Sequence, residues 1–442
     1  MEINRTIISK LLAWKISKER KPLILQGARQ TGKTWILKKL GRDHFEHYAY
    51  FNFEKQPELA QFFEITKDPE RIIENLTLLN GKPIYKGKTL IIFDEIQECN
   101  PALNSLKYFA EEAPDYFIAC AGSLLGVALS RGASFPVGKV DFLKIYPLSF
   151  DEFLAEASGE LWLYLNKIDR PGPIPDIFFS QLADKLKTYF LTGGMPEAVV
   201  ALIKNRDIEQ MQNVLQNILD AYSLDFSKHV DAKNIPKINY IWDSLPSQLA
   251  RENRKFLYQV VKPGARAREY EDALLWLINA GLAYKIHCIS KSAIPLTAYR
   301  DLGGFKIYMS DVGLLRRLSQ LDPVAIREGN RLFTEFKGAL TENFILTSLV
   351  AQFEGLPCYW RSGNKAEVDF IFQHQNEIIP VEVKSDENVR SKSLSFYRKE
   401  YNPALSIRFS MKNLNFTDGL LNIPLFMVDH TARLLKITPK TA

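Results

Sequence analysis

The sequence predicts a multidomain α/β protein, and three patterns carry that prediction. A short apolar stretch at residues 23–25 runs into a glycine-rich loop and then a helical pattern, which is the order strand, loop, helix. A second apolar run ends in two adjacent acids, as in a parallel strand that is buried on both faces. Near the C-terminus, two strands of alternating character flank a polar turn at residues 374–377. Because 442 residues exceed one ordinary core, two to four domains are expected.

The bulk composition is that of a folded soluble protein, with 46% hydrophobic and 24% charged residues. The 57 basic residues exceed the 51 acidic ones by six, an excess that permits a polyanionic partner without requiring one. Four dispersed cysteines without a CxxC pair argue against a zinc site or a disulfide framework and favour a reducing compartment. No apolar run approaches the ~20 residues that span a bilayer, and the charged N-terminus lacks a signal-peptide pattern. We therefore expect a cytoplasmic protein with no membrane partner.

The stretch "PLILQGARQTGKTWILKKL" contains the pattern GxxxxGK[ST] between a strand and a helix. In this context the loop curls so that its N–H groups face phosphates, and the following helix N-terminus favours negative charge. Lys33 is expected to reach the β- and γ-phosphates, and Thr34 to offer its hydroxyl to Mg²⁺. ATP and Mg²⁺ are the predicted ligands. The predicted nucleotide-binding residues of the loop are Gly27, Ala28, Arg29, Gln30, Thr31, Gly32, Lys33 and Thr34.

The run "KTLIIFDEIQE" supplies the acids that such a loop needs. The C-terminal end of a parallel strand is where an α/β sheet presents ligand-binding groups. Asp94 is predicted to hold Mg²⁺, and Glu95 to orient and deprotonate the attacking water; the alternative is a strand that merely ends in a polar turn. The strand "DYFIACAGS" follows and ends in Ser123, which either senses the γ-phosphate or simply caps the strand.

In this order the three motifs resemble those of AAA-type ATPases. Two further stretches, "SRGASFPVGKVDFLKIYPLSFDEFL" and "YFLTGGMPEAV", resemble signatures of a bacterial and archaeal family of AAA-type ATP-binding proteins, and the similarity spans essentially the whole chain. The resemblance implies a nucleotide-binding domain joined to a C-terminal domain of unassigned function, and it permits a homo-oligomer. No motif fixes an arginine finger; Arg131 is a candidate, and a surface arginine in a loop is the favoured alternative.

The middle of the chain predicts two helical regions. Helical patterns on either side of Gly193-Gly194 predict a lid that packs on the nucleotide. From about residue 233, helices followed by a small hairpin suggest a winged helix. Its basic residues fit DNA phosphate contacts, and a protein-packing module with a solvated basic face is nearly as good an interpretation. These residues are Arg251, Arg254, Lys255, Lys262, Arg266 and Arg268.

The C-terminal strands "AEVDFIF" and "PVEVKS" predict a second acidic site. If the hairpin turn is centred between Gln375 and Asn376, Asp369 lies directly opposite Glu382, at ~5 Å between Cβ atoms. Two facing carboxylates repel unless a proton or cation separates them, and Mg²⁺ is a suitable cation. Lys384, two residues further along the same face, could steady a phosphate or an attacking water.

A third acid, Glu342, falls on the apolar stripe of the helix "FKGALTENFILTSLVAQF", where an ionised carboxylate needs a partner. Helix Glu, strand Asp and Glu-x-Lys is the order of the PD-(D/E)XK nuclease fold, which the C-terminal domain resembles. The resemblance implies Glu342, Asp369 and Glu382 as metal ligands and Lys384 as a catalytic residue, although Val368 replaces the motif's proline. The structural alternative is a salt bridge from Glu382 to Lys384 or Arg361.

Four parts are thus predicted: a P-loop AAA-type core with a parallel sheet (residues 1–155), a helical lid (156–230), a winged helix (231–325) and a restriction-endonuclease-like α/β domain (326–442). Two functions fit them. One is an ATPase coupled to a nuclease-like domain that acts on or binds DNA, in which Lys33 and Glu95 serve ATP hydrolysis and Lys384 serves cleavage. The other is an ATP-driven switch whose C-terminal domain binds nucleic acid or protein without cutting it.

Overall fold

The computed structural model describes residues 3–123, 135–251, 254–328, 334–363, 365–386 and 391–438. They fall into two compact units. The N-terminal unit comprises Asn4–Tyr146 and Asn279–Leu282, and the C-terminal unit comprises Met1–Ile3, Pro147–Ile278 and Ala283–Ala442. Across the described ranges, every helix is too short or too polar to cross a lipid bilayer.

The N-terminal unit contains a five-stranded, all-parallel sheet. Its strands, in chain order, are β1 (Leu23–Gln26), β2 (His47–Asn52), β3 (Thr89–Asp94), β4 (Phe117–Gly122) and β5 (Asp141–Lys144). The spatial order is β2-β3-β4-β1-β5. The acidic strand β3 is therefore internal, and every one of its residues is buried, which confirms the interpretation of its uninterrupted apolar run.

Helices cover both faces of this sheet. They are Ile7–Ile16, Lys33–His44, Ala60–Ile65, Pro69–Asn80 and Asn100–Glu112. Alternate residues of β3 belong to opposite cores: Ile91 and Phe93 pack with the helices Pro69–Asn80 and Asn100–Glu112, while Leu90 and Ile92 pack with the helices Ile7–Ile16 and Lys33–His44. Burial of both faces places the loops at the carboxyl ends of the strands as the exposed, ligand-accessible edge.

The C-terminal unit contains an eight-stranded mixed sheet. Its strands are β6 (Ala283–Ile289), β7 (Arg300–Met309), β8 (Cys358–Ser362), β9 (Ala366–His374), β10 (Glu377–Val383), β11 (Ser406–Ser410), β12 (Asn415–Thr417) and β13 (Leu420–Pro424). The spatial order is β12-β13-β11-β10-β9-β8-β6-β7. The predicted small hairpin is present as the antiparallel pair β6–β7, and β6 also pairs with β8 in parallel.

Helices complete the C-terminal unit. Their bounds are Phe150–Ala157, Gly159–Asn166, Asp176–Thr192, Pro196–Asn205, Ile208–His229, Ile235–Leu249, Tyr258–Val261, Ala267–Asn279, Val312–Leu318, Pro323–Glu328, Thr334–Gln352, Lys392–Tyr401 and Thr431–Ile437. The predicted boundary at residues 325 and 326 falls between strands of one continuous sheet. The division of residues 156–442 into lid, winged helix and nuclease-like domain stays a prediction.

The glycine pair Gly193-Gly194 does more than end a helix. The helix Asp176–Thr192 ends there, Gly194 donates its N–H to buried Asp311 at 2.6 Å, and its carbonyl accepts the Leu148 N–H at 2.6 Å. A Cβ on Gly194 would lie 2.1 Å from the Leu148 carbonyl oxygen. Glycine is required here because three chain segments converge within hydrogen-bond distance.

Candidate functional site

The glycine-rich loop of the N-terminal unit takes the conformation that its sequence predicts. Gln30 and Gly32 have φ angles of 65° and 92°, so the loop curls through left-handed backbone before the helix begins at Lys33. A Cβ on Gly27 would lie 2.3 Å from the Ile145 carbonyl oxygen. The first glycine of the motif is therefore needed for a close approach between backbones, and the second for its positive φ.

Lys33 is buried inside the loop. Its Nζ donates to the carbonyl oxygens of Gly27 and Ala28, both at 2.8 Å. Burial lowers the pKa of Lys33 to about 8, and the negative charges of Glu95 and Asp94 oppose that shift. The ammonium is thus held at the inner rim of the loop, close to the two acids that follow β3.

Asp94 receives hydrogen bonds from three neighbouring side chains. The Thr34 hydroxyl lies 3.0 Å from each carboxylate oxygen. On the adjacent strand, the Tyr50 hydroxyl donates to Oδ2 at 2.6 Å and Asn52 Nδ2 donates to it at 3.2 Å. Burial, together with the hydrogen bond to Asp94, raises the pKa of Tyr50 to about 12, so its hydroxyl stays a donor at neutral pH.

Glu95 is held through one of its two oxygens. Its backbone has a φ of 50°, which turns the chain sharply after β3. Gln97 Nε2 donates to Oε2 of Glu95 at 2.6 Å, and the Ser123 hydroxyl donates to the same oxygen at 3.0 Å. Arg29 Nε in turn lies 3.4 Å from Ser123 Oγ. Ser123 is therefore connected to both the loop and the acid.

Arg5, which precedes the first helix, connects the loop to the end of the N-terminal unit by hydrogen bonds. Its guanidinium donates to the carbonyl oxygens of Thr31 at 3.0 Å and Tyr146 at 2.7 Å, and the residue is buried. The sequence interpretation missed Arg5, Tyr50, Asn52 and Gln97. Only the "DEIQ" spacing offered a signal, since Gln97 follows Glu95 by two residues; the others depend on pairing between distant segments.

The predicted residues of this site lie together, and they fit a nucleotide with its Mg²⁺. The curled loop leads directly into the helix that begins at Lys33, and a helix N-terminus favours phosphate oxygens. Thr34 and Asp94 are within 3.0 Å of each other, and a hydroxyl with a carboxylate suits Mg²⁺, which prefers oxygen ligands. Arg131 lies outside the described residues.

Replacing Tyr50 with phenylalanine tests the role of its hydroxyl. Partners that orient a metal-binding carboxylate typically contribute about 10- to 100-fold in metal affinity or activity. We expect Tyr50→Phe to raise the Mg²⁺ concentration for half-maximal ATPase activity about tenfold. Tyr48→Phe is the control, since Tyr48 is an exposed residue of the same strand. An unchanged Mg²⁺ requirement in Tyr50→Phe would show that Asp94 needs no such support.

The second acidic site lies on β9 and β10 of the C-terminal unit. Pairing of Phe370 with Val381 confirms the predicted hairpin register, and the next pair in that register is Asp369 with Glu382. Asp369 Oδ2 accepts the Val383 N–H at 2.8 Å. The two acids therefore sit side by side at the end of the hairpin, as the sequence predicts.

Glu382 is buried and is paired with Lys384. Its Oε1 lies 2.6 Å from Lys384 Nζ, while Oε2 accepts no hydrogen bond from the described residues, although Ser391 is near. Burial and the charge of Asp369 raise the pKa of Glu382 to about 7. Burial lowers the pKa of Lys384, but Glu382 and Asp369 outweigh it and leave a raised value.

Glu342 does not serve as a free ligand beside these two acids. It forms a salt bridge with Arg254, and its Oε2 accepts the buried Tyr308 hydroxyl at 3.1 Å. Glu342 was predicted to need a partner because it lies on the apolar stripe of its helix, and that partner is an arginine. Arg254, which the sequence analysis placed among DNA phosphate contacts, is used internally.

A third pairing completes the charge pattern. Lys306 is buried with its Nζ 2.5 Å from Glu367 Oε1, and Arg361 Nε lies 3.3 Å from Glu367 Oε2. Among the residues that the structure describes, no three His, Cys, Asp or Glu side chains are grouped as metal ligands. Each of the three acids predicted to share a cation has its own protein partner in this structure, and their role as metal ligands stays a prediction.

Removing Arg254 tests how much its ion pair with Glu342 contributes to stability. Breaking a buried ion pair by deleting one partner typically costs about 3–5 kcal/mol, because the other charge stays buried. We expect Arg254→Ala to lower the free energy of unfolding of the C-terminal unit by about 3 kcal/mol, measured by urea denaturation.

The double variant Arg254→Ala/Glu342→Gln should regain part of that loss, because the neutral amide removes the uncompensated charge. Exposed Arg251 provides the matched control, and Arg251→Ala should change stability by less than about 0.5 kcal/mol. Equal losses in the single and double variants would contradict the assignment of Arg254 as the counter-ion of Glu342.

Comparison with known families agrees with the geometry of the N-terminal unit. Residues 19–154 match the family described as an AAA domain. Residues 183–325 and 337–427 match two families described as domains of unknown function, DUF8612 and DUF4143. A search of curated proteins finds no match. With its loop, acids and parallel sheet, the N-terminal unit is an AAA-type P-loop ATPase domain.

Solved structures resemble the chain only distantly. The Walker-type ATPase PABY2304 of Pyrococcus abyssi is 13% identical with a TM-score of 0.45, over 72% of this chain and 96% of that one. PCH-2 of C. elegans is 15% identical with a TM-score of 0.25, over 51% and 68% of the respective chains. The ATPase assignment therefore rests on the AAA match and on the geometry of the loop.

Proposed function

We propose that this chain is a Mg²⁺-dependent ATPase that works as an ATP-driven switch, with a C-terminal unit that binds DNA without cutting it. The observation that carries the ATPase half is the direct contact of Thr34 with both oxygens of Asp94 at 3.0 Å. This pair stands beside a curled loop with a buried lysine. Hydroxyl, carboxylate and ammonium are the groups that phosphoryl transfer requires together.

The residues have separate tasks in this proposal. The N–H groups of the loop and Lys33 would hold the phosphates, while Thr34 and Asp94 would hold Mg²⁺, which would supply positive charge against the phosphates. On phosphate binding, the Lys33 ammonium exchanges its contacts with Gly27 and Ala28 for phosphate oxygens. Ser123 links Arg29 to Glu95 and is suited to sense the γ-phosphate.

Hydrolysis then depends on Glu95. Its carboxylate accepts a proton from water as the water oxygen bonds to the γ-phosphorus, and the bond from that phosphorus to the β,γ-bridging oxygen breaks. The products are ADP and inorganic phosphate, and the proton is on Glu95. Because Gln97 and Ser123 both donate to Oε2, Oε1 is the oxygen left to act as base.

Glu95→Gln tests this base directly. A positioned general base typically contributes about 10²- to 10⁴-fold, so we expect kcat for phosphate release to fall at least 100-fold. Affinity for ATP should stay within about threefold, because the amide occupies the same volume. Retention of wild-type turnover would contradict the assignment of Glu95.

The switch half rests on the charge pattern of the C-terminal unit. Every acid of the predicted nuclease-like centre already has a protein partner: Arg254 for Glu342, Lys384 for Glu382 and a backbone N–H for Asp369. A cation that entered would have to displace Arg254 or share its carboxylates with basic groups. DNA binding is supported by exposed basic residues, namely Arg251, Lys262, Arg266, Arg268, Lys392 and Lys399.

One observation favours the second candidate, a metal-dependent nuclease. Asp369 and Glu382 are neighbours in register, Glu382 has an oxygen without a hydrogen bond among the described residues, and Lys384 lies beside it. Two carboxylates and a lysine are part of the set that DNA hydrolysis by Mg²⁺ requires.

Incubation with DNA distinguishes the two candidates. Linear and supercoiled DNA would be incubated with Mg²⁺ or Mn²⁺, with and without ATP, and analysed for both mobility shift and cutting. The switch predicts a shift that depends on ATP and intact DNA under every condition. Metal-dependent cutting that Lys384→Ala abolishes, with ATP turnover preserved, would establish the nuclease instead.

A further inference from the structure

Gln97 stands out among the residues around the ATPase site because it contacts the proposed base with one end only. Its Nε2 donates to Glu95 Oε2 at 2.6 Å. Its Oε1 is buried and accepts no hydrogen bond from the described residues. An ionised carboxylate can only accept hydrogen bonds, so the NH₂ group must face Glu95 and the carbonyl oxygen must be the end without a partner.

The local backbone fixes this contact. Glu95 has a left-handed φ of 50°, and the short helical turn Ile96–Glu98 follows at once. The Glu98 N–H donates to the Glu95 carbonyl at 3.0 Å, and the Cys99 N–H donates to the Ile96 carbonyl at 3.1 Å. Ile96 between them is fully buried. The turn thereby brings the side chains of residues 95 and 97 together.

The NH₂ end of Gln97 suits a task in hydrolysis. Its NH₂ group and the Ser123 hydroxyl occupy the same oxygen of Glu95, which orients the carboxylate and leaves Oε1 as base. A buried carbonyl oxygen without a partner costs free energy unless it accepts a hydrogen bond. Because Gln97 Oε1 is enclosed by protein atoms, the contribution of Gln97 to hydrolysis lies in its NH₂ group.

We infer that Gln97 is a positioning residue for ATP hydrolysis, which fixes the Glu95 carboxylate through Oε2 so that Oε1 is the oxygen presented to the attacking water. The inference rests on the proposed role of Glu95 as base. Gln97 exchanges no proton with the substrate, so its contribution lies in orientation. Its loss should therefore lower kcat and leave nucleotide binding intact.

Three variants test the inference. Gln97→Met keeps the length of the side chain without donor or acceptor, and Gln97→Glu keeps an acceptor but loses the donor. Glu98→Gln is the matched control, because Glu98 is exposed on the same turn. Phosphate release under saturating Mg²⁺ gives kcat and KM, a fluorescent ATP analogue gives affinity, and thermal unfolding reports the fold.

Gln97→Met should lower kcat about 10- to 100-fold, with KM and affinity within twofold and an unchanged melting temperature. Gln97→Glu should lower kcat at least as much, because a second carboxylate then faces Glu95. Glu98→Gln should match the wild type. A purely structural role predicts the opposite, since methionine would preserve packing and activity. Normal kcat in Gln97→Met, or a loss of kcat that follows a loss of stability, would overturn the inference.

The double variant Gln97→Met/Glu95→Gln separates this inference from the function on which it rests. If Gln97 acts through Glu95, the double variant is no slower than Glu95→Gln, because residues that act as a unit are not additive. A further tenfold loss would contradict that coupling. If Glu95→Gln is itself fully active, the proposed base is wrong; if only Gln97→Met is active, the base stands and the positioning role fails.

Discussion

The buried ammonium of Lys33 is the constraint on which the ATPase site depends. A cation excluded from water must be compensated by polar groups, and here Gly27 and Ala28 supply carbonyl oxygens while Asp94 and Glu95 supply negative charge. The curled loop, the positive φ of Gly32 and the internal position of β3 all serve that arrangement. Phosphate oxygens of a bound nucleotide can take the place of the Gly27 and Ala28 carbonyls around this ammonium.

The acidic residues of the two units have different kinds of partner. In the N-terminal unit, neutral donors from Thr34, Tyr50 and Asn52 form the hydrogen bonds to Asp94, and the Lys33 ammonium contributes a nearby positive charge. In the C-terminal unit, Arg254 and Lys384 neutralise their acids directly. A carboxylate held by neutral donors remains attractive to Mg²⁺, whereas one paired with a cation is much less so. This contrast is the physical basis for proposing catalysis in one unit and binding in the other.

Much of the ATPase site and of the β9–β10 hairpin could be predicted from sequence, because both depend on local spacing. The loop, the acidic strand and the register that sets Asp369 beside Glu382 all follow from periodicity and short connections. Tyr50 and Asn52 could not be found, since their role arises from the pairing of β2 with β3. The arginine partner of Glu342 was missed for a similar reason, because Arg254 and Glu342 lie 88 positions apart in the sequence. The position of Glu342 on the apolar stripe of its helix showed that it needed a partner, but only the tertiary structure identifies that partner.

The proton balance of nucleotide binding tests the central role of Lys33 most directly. Burial lowers its pKa to about 8, and phosphates beside it would favour the charged form and raise that pKa. Calorimetric titration of MgATP at pH 8, in buffers of different ionisation enthalpy, should therefore show net proton uptake, which disappears in Lys33→Met together with tight binding. Tight binding with no proton uptake, or equal affinity in Lys33→Met, would contradict the account.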